Sequence, residues 1–184
     1  MRKALRAQRK AISPSAQCKA ARAVAQRVFR CAAMRRARRI AVYLSMASEL
    51  PTAPLIAALK ARRIAVFAPV ILHGNLRFRR LSGARLHAHK LGMSQPRAGV
   101  ALRASAMDVL VLPLLAFDAR GMRLGQGGGY YDRALSRCRF RPYRLGVAYA
   151  QQQVGKVPTE SFDQPLDAVL TERGLQRFNR SFPG

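Results

Sequence analysis

Residues Val109 to Arg133 read VLVLPLLAFDARGMRLGQGGGYYDR, and this stretch decides the fold class. Val109-Leu-Val-Leu112 is a short continuous apolar run, the pattern of a strand buried on both faces. Tyr130 to Cys138 reads as a helix. Between them lies a turn carrying glycines at 121, 125, 127, 128 and 129. A buried strand that passes through a glycine-rich turn into a helix is the repeating step of a parallel sheet.

The same alternation extends outward on both sides. Ile40-Ala-Val-Tyr-Leu44 and Ile64-Ala-Val-Phe-Ala68 suit buried strands, the second ended by Pro69. Arg144–Tyr149 is a further strand and Ala168–Leu170 a last short one. Helices are expected over 2–11, 14–39 and 52–61, with Ser13 as N-cap and Pro14 at the first helical position of the second. Leu76–Leu81 alternates like an exposed strand, and 82–106 has little periodicity. These elements predict an α/β fold: a three-layer, mostly parallel twisted sheet with helices on both faces. It forms one domain over 1–184, with ligands at the carboxyl ends of the strands.

Composition narrows the function classes. The chain has 184 residues, 49% of them hydrophobic, and a formal net charge of +26 from 34 Lys+Arg and 8 Asp+Glu. The longest apolar run, Val109 to Phe117, is about half of what a membrane-spanning helix needs, so no membrane span is expected. Three widely spaced cysteines (Cys18, Cys31, Cys138) without a Cys-x-x-Cys pair suit a reducing, cytoplasmic setting. His87-x-His89 stands alone in a basic stretch and reads as solvated loop rather than a zinc site. The charge predicts non-specific attraction of polyanions, but no specific nucleic-acid module stands out, and there is no Trp for stacking. The densest basic cluster, Arg35 to Arg39, reads as the solvated end of a helix before a strand.

Acidic residues are scarce enough to rank positions. Only Glu49, Asp108, Asp118, Asp132, Glu160, Asp163, Asp167 and Glu172 exist, so each marks a place where a negative charge is needed. Such places are helix starts, partners of buried arginines and metal sites. The glycine turn adds chemistry of its own. Its N–H groups can approach a polyphosphate, the following helix offers its positive end, and Arg123 and Arg133 can bond phosphoryl oxygens. Asp132 can hold a Mg²⁺ bridging them. The turn is neither a Walker A motif nor a dinucleotide fingerprint. Taken alone, it is equally a glycine turn with Asp132 favouring the helix start and no ligand.

The string Gly121-x-Arg123-Leu124-Gly125-x-Gly127-Gly128-Gly129-Tyr130-Tyr131-Asp132-Arg133 closely resembles the signature of the 5-formyltetrahydrofolate cyclo-ligases, also called 5,10-methenyltetrahydrofolate synthetases. The resemblance runs along most of the chain in the same order. It takes in Arg2 with Leu5-Arg6, Tyr43-Leu44-Ser45 with Glu49-x-x-Thr52, Gln95-Pro96, Asp108 to Pro113, and Phe117-Asp118. Gly146, Gln152, Pro158, Asp163, Asp167 and Thr171-Glu172 resemble the C-terminal block. Seven of the eight acidic residues fall on the pattern.

The resemblance implies ATP- and Mg²⁺-dependent closure of 5-formyltetrahydrofolate to 5,10-methenyltetrahydrofolate with release of ADP and phosphate; separately, a monomer is expected, although no sequence feature fixes the oligomeric state. By the same resemblance Arg2, Lys3, Arg6 and the segment Arg123, Leu124, Gly125, Gln126, Gly127, Gly128, Gly129, Tyr130 and Tyr131 would bind ATP, with Arg123 and Tyr131 at the chemistry. Leu44 and Glu49 would contact the folate, together with Gly127 to Tyr131 on its other side, and Asp132 and Asp163 would hold Mg²⁺. Read without it, Arg2 and Arg6 are solvated arginines, Glu49 caps the helix near Thr52, and Asp163 is a turn residue. The departures are small: Arg2 stands where lysine is common, Gln95 where glutamate is frequent, Phe162 where a polar residue is usual, and Pro51 in place of an often polar residue. None of them touches the glycine turn.

Overall fold

The structure is a computed structural model and describes residues 1–83, 85–89, 92–138 and 142–178. Helices α1 (Arg2–Lys10), α2 (Pro14–Arg27) and α3 (Ala32–Arg36) precede strand β1 (Arg39–Val42). Helix α4 (Ala53–Ala61) leads to β2 (Ala65–Leu72) and β3 (Asn75–Arg80), and then to the short strands β4 (Leu86–Ala88), β5 (Ser94–Pro96) and β6 (Ala101–Leu102). Strand β7 (Val109–Leu112) is followed by a hairpin of β8 (Ala116–Phe117) and β9 (Arg123–Leu124), and by helix α5 (Tyr130–Leu135). The last strands are β10 (Tyr143–Val147), β11 (Ala168–Leu170) and β12 (Leu175–Arg177).

Eight strands form one mixed sheet in the order β12-β11-β10-β7-β1-β2-β3-β6. The five central strands are mutually parallel, and β12, β3 and β6 add antiparallel edges. The continuous apolar runs are explained by burial on both faces. Ile40, Val42, Val109, Val111 and Leu145 pack with Val24 of α2 and with Leu55 and Leu59 of α4. Their sequence neighbours Ala41, Leu110 and Leu112 pack on the opposite side with Phe78, Met107 and Leu135. The layers are unequal, because the second face is covered by the six-residue α5 and a 3₁₀ turn at Ala104–Ala106.

Four local expectations are corrected. The helix expected over 14–39 ends at Arg27, tightens into a 3₁₀ turn over Val28–Arg30, turns extended at Cys31 and restarts as α3. Val28, Cys31 and Met34 are all buried, so burial of this face overrides helix continuity among indifferent helix formers. Strand β2 runs on through Pro69, which pairs with Phe78 of β3 two residues beyond the last pairing with β1, where a missing N–H breaks no bond on that side. The stretch 82–106 contains the β4–β5 hairpin. In it His87 is half-buried rather than solvated: its Nε2 lies 2.9 Å from Gln95 Nε2, while Gln95 Oε1 accepts from Ile71 N–H. The helix after the glycine turn stops at Leu135, three residues short of Cys138.

The strand order reverses between β1 and β7. After β1 the chain adds β2 on one side, and after β3 and β6 it returns to place β7 on the other. Loops leaving the carboxyl ends of β1 and β7 therefore splay apart and open a crevice.

Candidate active site

The loop after β1 is held by its own hydroxyl groups. Thr52 Oγ1 donates to Tyr43 O at 2.9 Å, Ser45 N–H donates to Thr52 Oγ1, and Thr52 N–H donates to Ser45 Oγ. Tyr43 hydroxyl donates to Leu50 O. This network holds Glu49 inward, only 5% exposed, with Oε2 accepting from Met46 N–H at 3.0 Å and Oε1 from Gln126 Nε2 at 3.3 Å. Glu49 does not cap α4, whose N-cap is Thr52.

The loop after β7 is organised by Asp118, which is fully buried. Its carboxylate accepts from the backbone N–H groups of Arg120, Met122 and Val157 and from the Arg120 guanidinium at 2.7 Å. Burial alone would raise the Asp118 pKa, but these donors, led by Val157 N–H and the Arg120 side chain, hold it below the ordinary 3.8. The β8–β9 hairpin then delivers Arg123, whose Nη2 donates to Asp132 Oδ1 at 2.8 Å. Gln164 N–H donates to the same oxygen. Gly129 has φ of +61°, a left-handed conformation that turns the chain into α5 and that a Cβ would disfavour. Because α5 is only six residues long, little helix dipole reaches the turn, and the anion-binding capacity rests on the arginines and the loop N–H groups.

Helix α1 closes the crevice from above. Arg2 Nε donates to Gly125 O, and Arg6 donates to Gln126 O at 3.0 Å and to Gln126 Oε1. One turn on, the buried Arg9 donates to Ser48 Oγ and Leu114 O and lies 3.9 Å from Glu49 Oε1. Arg9 thus ties α1 to the loops of both β1 and β7. Its signal in the sequence is position alone, since Arg2, Arg6 and Arg9 share one helical face.

These parts enclose a cleft of about 950 Å³. Arg2, Arg6, Leu44, Glu49, Asp132, Asp163 and the whole segment from Arg123 to Tyr131 line it. Lys3 is exposed and lies outside the lining. Sequence reasoning missed Glu160 and Met46, which also line it, and passed over Phe162 as an aromatic wall. Asp163 closes a turn, accepting Glu160 N–H at 2.8 Å while its own N–H donates to Glu160 O, and it still borders the cleft. The Tyr131 hydroxyl has its pKa raised, by burial first and then by the Glu49 charge, with Arg123 opposing, so it stays protonated and can donate a hydrogen bond.

Among the described residues no three His, Cys, Asp or Glu side chains gather as a metal site. Asp132 and Asp163 nonetheless put two carboxylates on one cleft, a donor set that suits Mg²⁺, which takes one or two carboxylates and completes its shell from phosphate and water. No helix among the described residues is long and apolar enough to cross a membrane.

Comparison with known proteins gives the same answer from three directions. The model of the 5-formyltetrahydrofolate cyclo-ligase family matches residues 1–172. The 5-formyltetrahydrofolate cyclo-ligase of Escherichia coli K12 is 38% identical over 175 residues, covering 91% of this chain and 96% of that one. The Haemophilus influenzae enzyme is 35% identical over 161 residues, covering 84% and 86%. The NMR structure of Aquifex aeolicus 5,10-methenyltetrahydrofolate synthetase superposes with a TM-score of 0.85 at 26% identity, over 100% of this chain and 94% of that one. With a matching signature, sheet and switch-point cleft, the chain belongs to the 5-formyltetrahydrofolate cyclo-ligase family.

Proposed function

We propose that the chain converts 5-formyltetrahydrofolate to 5,10-methenyltetrahydrofolate with consumption of ATP and release of ADP and phosphate, in a single domain acting as a monomer. The observation that carries this reading is that one cleft collects the glycine turn, Arg2 and Arg6 of α1, Glu49, and the carboxylates Asp132 and Asp163. Its volume is at the upper end for small-ligand sites, as two substrates meeting there require.

In the proposed sequence the formyl oxygen attacks the γ-phosphorus, the P–O bond to the β-phosphate breaks and ADP leaves, giving a phosphorylated imidate. N10 then attacks the activated carbon and loses its proton, and the C–O bond breaks to release phosphate as the ring closes. Such chemistry asks for alignment and charge stabilisation rather than a protein nucleophile. Arg2 and Arg6 exchange their loop carbonyl partners for phosphate oxygens, and the loop N–H groups cradle the chain of phosphates. Arg123, held by Asp132, stays aimed at the transferring phosphoryl group, and the protonated Tyr131 donates a hydrogen bond to developing negative charge. Glu49, held by Met46 N–H and Arg9, accepts from pterin N–H groups beside Leu44. Mg²⁺ held by Asp132 and Asp163 would neutralise charge on the phosphoryl oxygens.

The test is growth of the methenyl-folate absorbance band when purified protein meets 5-formyltetrahydrofolate, Mg²⁺ and ATP. Growth that requires ATP is expected. ATP binding without growth would make the chain an inert nucleotide-binding regulator, and absence of both would remove the reading.

A further inference from the structure

A second cavity, of about 200 Å³, lies beside the cleft and shares Leu76 and Tyr130 with it. Arg77 on β3, Arg103 before the 3₁₀ turn, Arg133 on α5 and Arg137 two residues after that helix all line it. The lining contains no carboxylate. Among the described residues none of these arginines has an ion-pair partner, since the three ion pairs involve Arg9, Arg120 and Arg123. The acidic residues closest in sequence are engaged elsewhere: Asp108 accepts the N–H groups of Arg38 and Arg39, and Asp132 accepts from Arg123. Arg133 is held in place, with Nη2 donating to Gly128 O and its guanidinium 4.9 Å above the Tyr130 ring.

We propose that this pocket is an anion site separate from the nucleotide cleft, taking a small oxyanion with two or more negative charges. Four arginines, three of them exposed, line one concavity with no carboxylate among them, and an oxyanion seated there would lower their mutual repulsion while accepting charge-assisted bonds. A cavity of about 200 Å³ suits a pyrophosphate or a short carboxylate chain. The ligand is either a free phosphate-type anion or the carboxylate end of a molecule seated in the cleft that passes round Tyr130. The second source rests on the proposed folate substrate; the site itself does not.

The experiment follows backbone amide resonances of the full chain during titration with inorganic pyrophosphate. It is run at about 0.15 M salt, where attraction by distant surface charges is screened beyond about 8 Å. Saturable shifts are expected at Asn75, Ser105 and Ser136. In Arg103→Gln/Arg137→Gln, two exposed positions outside the nucleotide cleft, the affinity falls about tenfold or more, while ATP-dependent turnover at saturating monoglutamyl substrate is unchanged. Absence of shifts at these amides, equal shifts in the variant, or unsaturable shifts spread over the basic surface would overturn the site. Titration with mono- and triglutamyl substrate separates the sources. A tail in the pocket moves the same amides with the triglutamyl form and is displaced by pyrophosphate, whereas a free-anion site responds to pyrophosphate alone.

Discussion

At the scale of single residues, the eight carboxylates divide into two groups. Glu49, Asp132, Glu160 and Asp163 line the cleft. Asp108, Asp118, Asp167 and Glu172 instead receive backbone N–H groups that join one segment to another, as Asp167 does from Arg144 and Glu172 from Ala150. The division separates expected effects. Asp132→Asn should cut kcat by about a hundredfold or more, because in the proposed mechanism it removes charge beside the transferring phosphoryl, and it weakens the hold on Arg123. Glu49→Gln should keep kcat near its original value and raise the KM for the folate by about tenfold to a hundredfold, the worth of bonds to a charged acceptor. Steady-state kinetics of both variants check the pair; the same kcat loss in each would refute the separate assignment.

At the scale of elements, two junctions govern whether the cleft forms. Gly146 in β10 passes so close to its neighbours that an added Cβ would stand 2.8 Å from Leu166 Cδ1 and 2.9 Å from Leu114 Cδ2. Gly146→Ala should therefore lower stability by about 1–3 kcal/mol through overpacking, read as a lower midpoint in denaturant unfolding. The β8–β9 hairpin depends on Asp118 in the ionised form. Its folded pKa is depressed, so its contribution is present above about pH 3.8 and is lost as pH falls through the folded value. The stability gap between the wild-type chain and Asp118→Asn should be largest near neutrality, at more than about 2 kcal/mol, and should narrow on acidification below that range. Urea titrations across pH test this; a gap independent of pH would assign the loss to shape rather than charge.

At the scale of the whole molecule, a +26 charge on 184 residues works against compaction. Raising ionic strength from about 0.01 M to about 0.15 M shortens the screening length from about 30 Å to about 8 Å, and should raise the thermal midpoint. A midpoint that falls with salt would mean that specific ion pairs outweigh the diffuse repulsion. With three ion pairs among the described residues, repulsion is the larger effect.

Much of this was legible in the chain itself. Doubly buried strands advertise themselves as continuous apolar runs, so the strands at Ile40–Val42 and Val109–Leu112 and the α/β class followed from periodicity, though the first ends two residues before the expected Leu44, and the glycine signature named the family. Local chemistry also settled the Ser13 cap, whose side chain accepts from Ala16 N–H. Tertiary structure alone decided the rest. Arg9 and Arg2 look alike in sequence, yet only one reaches the junction of two loops far away along the chain. Pro69 punctuates in isolation but sits harmlessly where β2 has left β1. Four arginines spread from 77 to 137 converge on one pocket only because β3 and α5 pack side by side. Periodicity reports which face of an element is buried, whereas partners across long sequence separations depend on strand order, which no local pattern encodes.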